Sequence, residues 1–195
     1  DSSTSRGLGD VYKRQYQGNT QLTAGQLTVG SNTALGTGNL IASAGTALTA
    51  STPVQLQNGV TLNGGLTVTG ANDLTLAGAI GGAGGLTQAG TGTLTLAAAN
   101  SFSGGVQLNS GTLAVGNNAA LGSGMLGTAA GTTLSATSPV TLGNAVMLTA
   151  GTTTITGSDL TLTGTIDGAG GLAKTGTGTL TLTGNNTYGG GTTLT

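Results

Sequence analysis

The sequence predicts an all-β fold, a β-solenoid built from short strands, and three observations carry this prediction. The stretch GGLAKTGTGTLTLTGNNTY at residues 170–188 has a near copy, GGLTQAGTGTLTLAAANSF, at residues 84–102. Short runs throughout the chain alternate apolar and polar residues with a period of two, which is typical of half-buried strands. Nearly every run is bounded by Gly or Asn, which accept the left-handed backbone of tight corners.

The first fifteen residues differ in composition from the rest of the chain. They contain five of the nine charged residues, namely Asp1, Arg6, Asp10, Lys13 and Arg14. The stretch DVYKRQ at residues 10–15 looks like the translation of a sequencing adapter. We therefore expect residues 1–15 to be an artefact or a disordered leader, and the fold to begin at Tyr16.

Residues 16–195 contain a super-repeat with an 86-residue period. Residues 16–109 align with residues 102–195 without a gap, which gives units at 16–101 and 102–187 and a partial third unit. A gapless period of this length indicates one repeated structural unit. Because Thr195 falls inside a unit, we expect the sequence to be a fragment of a longer protein.

Strand-like runs in the first unit lie at residues 26–30, 47–50, 54–57, 60–63, 66–70, 73–78 and 93–96. About twelve runs per unit, at three per coil, predict about four coils of roughly 21–22 residues, and about eight coils in all. Leu, Val and Ile would face inward, and Thr, Ser and Gln outward. An outer-membrane β-barrel also alternates apolar and polar residues, but its strands are about 9–11 residues long and need aromatic girdles. The runs here are shorter, and the chain has only three Tyr and one Phe.

Composition excludes several classes of partner and site. Only 5% of the residues are charged and the net charge is −1, whereas nucleic acids and anionic membrane surfaces are bound by clustered Lys and Arg. The chain has no Cys and no His, so we expect no disulfide, no thiolate site and no catalysis by either residue. No apolar run is long enough for a transmembrane helix. We therefore predict neither a nucleic-acid partner nor membrane insertion of this segment.

The repeated block resembles the autotransporter-associated β-strand repeat, or passenger-associated transport repeat. The family pattern runs through Gly-Gly-Leu, Lys-Thr-Gly, Gly-Thr-Leu-Thr-Leu, Asn-Thr-Tyr, Gly-Gly-Thr and Gly-Thr-Leu-x-Val-Gly. The later copy keeps Lys174, Thr175, Asn186, Thr187 and Tyr188 of this pattern. The earlier copy, which continues to Gly116, departs from it at Gln88, Ala89, Ser101 and Phe102.

This resemblance implies a right-handed parallel β-helix in the secreted passenger of a type V secretion protein. Such a passenger crosses the outer membrane through a C-terminal translocator β-barrel of the same protein, and is secreted or stays attached at the surface of a Gram-negative bacterium. We expect a structural stalk that supports passenger transport and presentation, with no enzymatic activity. The alternatives are an adhesin that binds cells, glycans or itself through the solenoid surface, a polysaccharide-active β-helix enzyme, and an ice-binding solenoid.

Few side chains could carry chemistry, and we predict no catalytic, cofactor-binding or metal-binding residue. Asp159 and Asp167 would be the acid–base pair of a polysaccharide-cleaving enzyme. Asp159 has Asp73 as its repeat equivalent, and both precede a strand, where a short carboxylate commonly binds the backbone of its own turn. Asp167 and Lys174 have no charged equivalent in the other unit, so we expect surface charges or a weak ion pair.

Two glycine-rich motifs fall short of a binding signature. The stretch GAGGLAKT at residues 168–175 has Ala173 where a phosphate-binding loop needs Gly before the Lys. The stretch GGAGGL at residues 81–86 lacks the carboxylate of a repeat-type calcium site. Neither motif predicts a nucleotide or a metal ligand.

Thr-x-Thr pairs and aromatic residues complete the candidates. The pairs lie at Thr93/Thr95, Thr161/Thr163 and Thr179/Thr181. An ice-binding solenoid would need them in register on one face, but their positions are irregular, so we expect ordinary outward strand residues. Tyr16, Phe102 and Tyr188 share one repeat position, and we expect them to pack beside glycine corners.

Overall fold

The computed structural model describes residues 16–195. The predicted artefact or leader at residues 1–15 lies outside the described residues. The strands are β1 (Thr20–Leu22), β2 (Gln26–Val29), β3 (Leu40–Ala42), β4 (Thr46–Ala50), β5 (Val54–Leu56), β6 (Val60–Leu62), β7 (Leu66–Thr69), β8 (Leu74–Leu76), β9 (Ile80–Gly82), β10 (Leu86–Gln88), β11 (Thr93–Leu96), β12 (Val106–Leu108), β13 (Thr112–Val115), β14 (Leu126–Thr128), β15 (Thr133–Ala136), β16 (Val140–Leu142), β17 (Val146–Leu148), β18 (Thr152–Gly157), β19 (Leu160–Leu162), β20 (Ile166–Asp167), β21 (Gly171–Lys174), β22 (Leu180–Leu182) and β23 (Thr192–Leu194).

Each turn of the chain passes three faces in the same order, and every paired strand is parallel to its neighbour in the next turn. Face 1 holds the sheet β1-β3-β6-β9 and, further along the solenoid, the sheet β16-β19-β22. Face 2 holds β2-β4-β7-β10-β12-β14-β17-β20, and face 3 holds β5-β8-β11-β13-β15-β18-β21-β23. The predicted all-β parallel solenoid is confirmed. The described residues contain no helix and make about nine turns, against the eight expected.

The turns are shorter than the sequence suggested. On face 1, Thr20 pairs with Leu40, Leu40 with Val60, and Val60 with Ile80, so one turn of the solenoid takes 20 residues. The hydrogen bond from the backbone N–H of Asn39 to the side chain of Asn19 spans the same 20 residues. The 86-residue period exceeds four such turns, and the excess equals the distance from the start of β1 to the start of β2. A residue and its repeat equivalent therefore lie on successive faces.

The core is a set of apolar columns that run along the solenoid axis. Strand residues alternate between inward and outward positions, so a typical three-residue strand buries its first and third residues. Leu40, Leu62, Leu76, Leu94 and Leu108 are among the fully buried residues. Burial of each such Leu contributes about 1.5–3 kcal/mol, and each added turn covers the open end of the preceding one.

Glycine permits the close stacking of corners. Gly82 has a φ of 107°, and a Cβ atom built on it would lie 2.2 Å from the carbonyl oxygen of Leu62 in the preceding turn. Its repeat equivalent Gly168 has a φ of 110° and the same relation to Leu148, at 2.1 Å. The backbone conformation and the space both require Gly at these corners.

Buried asparagines hold the two longest turns between strands. The Nδ2 atom of Asn58 donates to the carbonyl oxygens of Gly36 at 3.1 Å and Gly38 at 2.6 Å. Asn144 donates in the same way to Gly122 and Gly124, at 3.0 and 2.7 Å. The loops at residues 31–38 and 117–124 are therefore held by an Asn side chain from the next turn of the solenoid.

Candidate functional site

The carboxylates of Asp73 and Asp159 join successive turns of the solenoid. Asp73 Oδ1 accepts a hydrogen bond from the backbone N–H of Thr93 at 2.8 Å, and Asp159 Oδ1 accepts one from Thr179 at 2.7 Å. Each partner lies one turn further along the chain. The prediction that these carboxylates bind their own turns is therefore wrong, because the strand N–H stacked against each one provides a donor.

The two carboxylates of the enzymatic hypothesis lie on different faces. Asp159 precedes β19 on face 1, whereas Asp167 is the last residue of β20 on face 2. Asp167 Oδ1 accepts from the backbone N–H of Gly168 at 2.7 Å and from Thr187 Oγ1 at 3.0 Å. Each carboxylate thus has its own set of donors, and they share none.

Lys174 lies in the interior, so the expectation of a surface charge is wrong for this residue. Its side chain is 7% exposed, and its Nζ atom donates to the carbonyl oxygens of Thr175 and of Gly176, the latter at 3.1 Å. Lys174 follows the inward Leu172 by two positions on β21, so the alternation of the strand turns it inward. Its charge is therefore directed at the carbonyl groups of its own turn.

Gln88 has the same role in the other repeat unit. It is 1% exposed, and its Nε2 atom donates to the carbonyl oxygens of Gly90 at 3.0 Å and Gly92 at 2.9 Å. Its Oε1 atom has no hydrogen-bond partner among residues 16–195. The shared feature of Gln88 and Lys174 is a nitrogen donor aimed at the carbonyls of a glycine turn.

The glycine-rich stretch at residues 168–175 does not form a phosphate cradle. The N–H groups of Gly170, Gly171 and Leu172 donate to the carbonyl oxygens of Leu148, Gly151 and Gly191, respectively, in adjacent turns. The backbone donors that would bind an anion are therefore already used. Residues 16–195 also contain no cluster of three Asp, Glu, His or Cys residues that could hold a metal ion.

Two shallow grooves, one in each repeat unit, share the equivalent pairs Pro53/Pro139 and Asp73/Asp159. One is lined by Asn32, Pro53, Gln55, Asp73 and Thr75. The other is lined by Pro139, Thr156, Asp159, Thr177 and neighbouring glycines. Each groove contains a single carboxylate, and the Oδ1 atom of that carboxylate already accepts a backbone N–H group. Neither groove contains the paired acid and base that glycoside hydrolysis uses.

The three aromatic residues at one repeat position differ in burial: Phe102 is fully buried, Tyr188 is partly buried against the core, and Tyr16 is 48% exposed. The ring of Phe102 lies beside the glycine corner at Gly122. Tyr188 and Thr192 form a hydrogen bond between their hydroxyl groups, and Tyr16 bonds to Thr20 in the same way. In the central unit both members of this pair are apolar, because Phe102 and Val106 occupy the two positions.

Face 3 carries an ordered set of small outward residues, which we call the threonine array. The register places Thr93, Thr112, Thr133 and Thr154 in one column, and Thr95, Ala114, Ser135 and Thr156 in a second column. The expectation that the threonines lie irregularly is therefore wrong for this face. Sequence reasoning misses the array because the rows are unevenly spaced along the chain, with Thr112 nearer to Thr93 than to Thr133. The array could have been found from the Thr residues that open the strand-like runs on this face.

Comparison with known proteins identifies the repeated block. Two segments, residues 86–115 and 172–195, match the family model described as Passenger-associated-transport-repeat. They fall on the two blocks on which the predicted resemblance rests, and that resemblance is confirmed. No curated protein and no solved structure matches the chain. The family match and the solenoid fold point to a structural role associated with a transported passenger.

Proposed function

We propose that residues 16–195 form a non-enzymatic stalk segment of a bacterial autotransporter passenger. The observation that carries this proposal is the use of the charged side chains: Asp73, Asp159, Asp167 and Lys174 all bind backbone groups of the solenoid. Side chains committed in this way stabilise a rod. With about nine turns at roughly 4.8 Å each, the described chain would span about 43 Å.

The proposal places this segment in a passenger that is secreted or displayed at the surface of a Gram-negative cell, attached to its outer membrane. Its partner is the C-terminal translocator β-barrel of the same full-length protein. The family match supports a passenger and a translocator. Among the described residues, no helix has the length and apolar character needed to cross a membrane.

A deletion of one whole repeat unit from the middle of the rod tests the stalk proposal. Removal of residues 60–145 joins Gly59 to Val146, which holds the repeat position of Val60. A stalk should keep its fold and shorten by about 21 Å, since about four and a third turns at roughly 4.8 Å are lost. Small-angle X-ray scattering of the purified chain gives the maximum dimension, and circular dichroism checks the strand content. A deletion variant that unfolds, or one that keeps its length, would contradict the proposal.

A matched deletion that breaks the strand register serves as the control. Removing residues 60–146 also takes out Val146 and joins Gly59 to Met147. Inward and outward side chains then exchange places after the junction, so that Leu148 occupies the outward position of Thr61. We expect this variant to unfold at lower urea concentration than the deletion of a whole unit. Equal stability of the two variants would show that the repeat unit does not determine the stacking.

An adhesin is the second candidate, and the free hydroxyl groups on the outward side of face 3 favour it. In this case the purified chain should bind cells, glycans or itself, and binding should fall when outward residues of that face are replaced. A polysaccharide-active enzyme would instead lose activity in Asp159→Asn or Asp167→Asn. We expect the chain to leave soluble polysaccharides intact, so activity that disappears in either variant would overturn the non-enzymatic proposal.

A further inference from the structure

The threonine array leaves its hydroxyl groups free. Thr93, Thr112, Thr133 and Thr154 are half-buried by their neighbours in the column, and their Oγ1 atoms bond to no protein group among residues 16–195. Some threonines elsewhere bond to the solenoid backbone, as Thr49 does when its Oγ1 donates to the carbonyl oxygen of Thr69 at 2.9 Å. The array therefore keeps its donors and acceptors for something outside the chain.

The array has the geometry of a small grid of rows and columns. Rows are separated by the strand spacing of about 4.8 Å, and the two columns by two positions along a strand, about 6.6 Å. Six of the eight positions are Thr, and the other two are Ser135 and Ala114, of which Ala114 is only 4% exposed between its larger neighbours. Each Thr offers one methyl group and one hydroxyl group, so apolar and hydrogen-bonding groups alternate at regular intervals.

The other two faces lack such a grid. Outward positions on face 2 are interrupted by Gln107, Met147 and Asp167. Outward positions on face 1 form a single column in each of its two sheets: the first includes Ile41 and Gly81, and the second consists of Thr141, Thr161 and Thr181. A partner that needs two regular columns would therefore distinguish face 3 from the rest of the surface.

Charge and area narrow the choice of partner. The eight array positions carry no charge, so they offer nothing to a charged polymer or a charged surface. The grid covers an area on the order of 200 Å² on the strand spacings. A stable protein–protein interface needs about 800 Å² per partner, so a second copy docked on this grid would be held weakly. Small-molecule sites are concave, whereas the array lies on the outward side of a β-sheet, with Thr156 at its edge lining the groove that contains Asp159.

We propose that the threonine array binds the surface of ice. Ice is uncharged, flat and periodic, and its surface consists of water molecules that can both donate to and accept from hydroxyl groups. Hydroxyl groups held at fixed spacing would anchor a first layer of water in an ordered arrangement, and the methyl groups would occupy the gaps between those molecules. This inference is independent of the stalk proposal, because a rod can hold another module whether or not one of its faces binds ice.

The test uses the full 195-residue chain and ice itself as the probe. Thermal hysteresis is measured by nanolitre osmometry, and adsorption is measured as enrichment of a fluorescently labelled chain in a slowly grown ice hemisphere. Thr133→Tyr places a bulky ring in the centre of the grid. The matched control is Thr61→Tyr, which places the same ring at the centre of the β1-β3-β6-β9 sheet on face 1. Circular dichroism is used to check that both variants are folded.

We expect enrichment in ice for the unsubstituted chain and for Thr61→Tyr, and loss of enrichment for Thr133→Tyr. Ala114→Thr, which completes the second column, should raise the hysteresis. The proposal is overturned if the folded chain is excluded from ice, or if both tyrosine variants behave alike. Binding to crystalline cellulose or chitin without enrichment in ice would overturn it too, since the partner would then be a polysaccharide.

Discussion

The strongest stability prediction concerns the glycine corners, where two separate physical costs can be measured one at a time. Gly45 has a φ of 73° and open space around a built Cβ. Gly84 has an ordinary φ, but its Cβ would lie 2.0 Å from the carbonyl oxygen of Gly64. Gly82 combines a φ of 107° with a Cβ 2.2 Å from the carbonyl oxygen of Leu62, and Gly65 has neither feature. Alanine at these four positions separates backbone strain from the clash between turns.

The expected costs follow from the two features. Gly65→Ala should leave the free energy of unfolding unchanged or raise it by about 0.4–1 kcal/mol, because Ala restricts the unfolded chain. Gly45→Ala should cost about 1–2 kcal/mol for the left-handed backbone. Gly84→Ala should cost about 1–3 kcal/mol, because backbone atoms must separate to admit the methyl group. Gly82→Ala should cost about 2–5 kcal/mol, as the sum of both effects.

Urea titration followed by far-ultraviolet circular dichroism measures these differences as shifts of the unfolding midpoint at a common slope. The order of stability should be Gly65→Ala, then the two single-cost variants, then Gly82→Ala. A Gly84→Ala variant as stable as Gly65→Ala would show that the turns tolerate a methyl group between them, and would contradict the expected clash. Equal midpoints for Gly82→Ala and Gly45→Ala would contradict it too.

Three further predictions concern interior polar groups and the aromatic position. Lys174→Gln should keep most of the stability, because Gln88 shows that an amide nitrogen at this position can reach the carbonyls of the glycine turn. Lys174→Met should cost about 1–3 kcal/mol of unfolding free energy, because it leaves the carbonyls of Thr175 and Gly176 unpaired. Equal midpoints of the two variants in urea would contradict this expectation. Asn58→Ala should cost about 1–3 kcal/mol of unfolding free energy, because it leaves the carbonyls of Gly36 and Gly38 without their donor. The control Asn63→Ala, at an exposed position, should cost less than about 0.5 kcal/mol. Thermal unfolding compares the two, and similar melting temperatures would refute the bridging role of Asn58. Phe102→Tyr should destabilise the chain by burying a hydroxyl group without a partner, and Val106→Thr in the same chain should restore most of the loss; a double-mutant cycle with no coupling would reject the pairing.

The class of fold could be predicted because its signals are local and repeated. Alternation of apolar and polar residues identifies strands such as β6 and β8, and glycine corners mark where each strand ends. Stacked turns also reuse the same inward positions, so a repeat in the sequence translates into a repeat in space. These features predict a solenoid without any knowledge of long-range contacts.

The length of a turn could not be predicted from the 86-residue period alone. A period of four whole turns would require longer turns than the 20-residue step that the parallel register shows on face 1. The period is not a whole number of turns, and only the pairing between strands shows this. The rows of the threonine array could not be predicted for the same reason, because only the strand register shows that Thr93 and Thr112 are neighbours.

The inward position of Lys174 could have been predicted from the sequence. Leu172 is an inward residue of β21, and residues two apart on a strand share a side, so Lys174 points inward as well. Charge favours the opposite expectation, because Lys is rarely buried. Backbone carbonyls in the following glycine turn are what make its burial possible here. A charged residue in phase with the core therefore indicates an internal hydrogen-bonding site.

The offset between the repeat unit and the turns has a consequence for how such a rod grows. Duplication of a unit adds length and also rotates whatever stands at the tip by a third of a circle, because each unit ends one strand position later than a whole number of turns. Equivalent residues trace a spiral around the axis, and the original azimuth returns only after three units, or about thirteen turns. A chain that gains or loses single units thus changes the direction in which its tip points, whereas one that changes by three units alters only its reach.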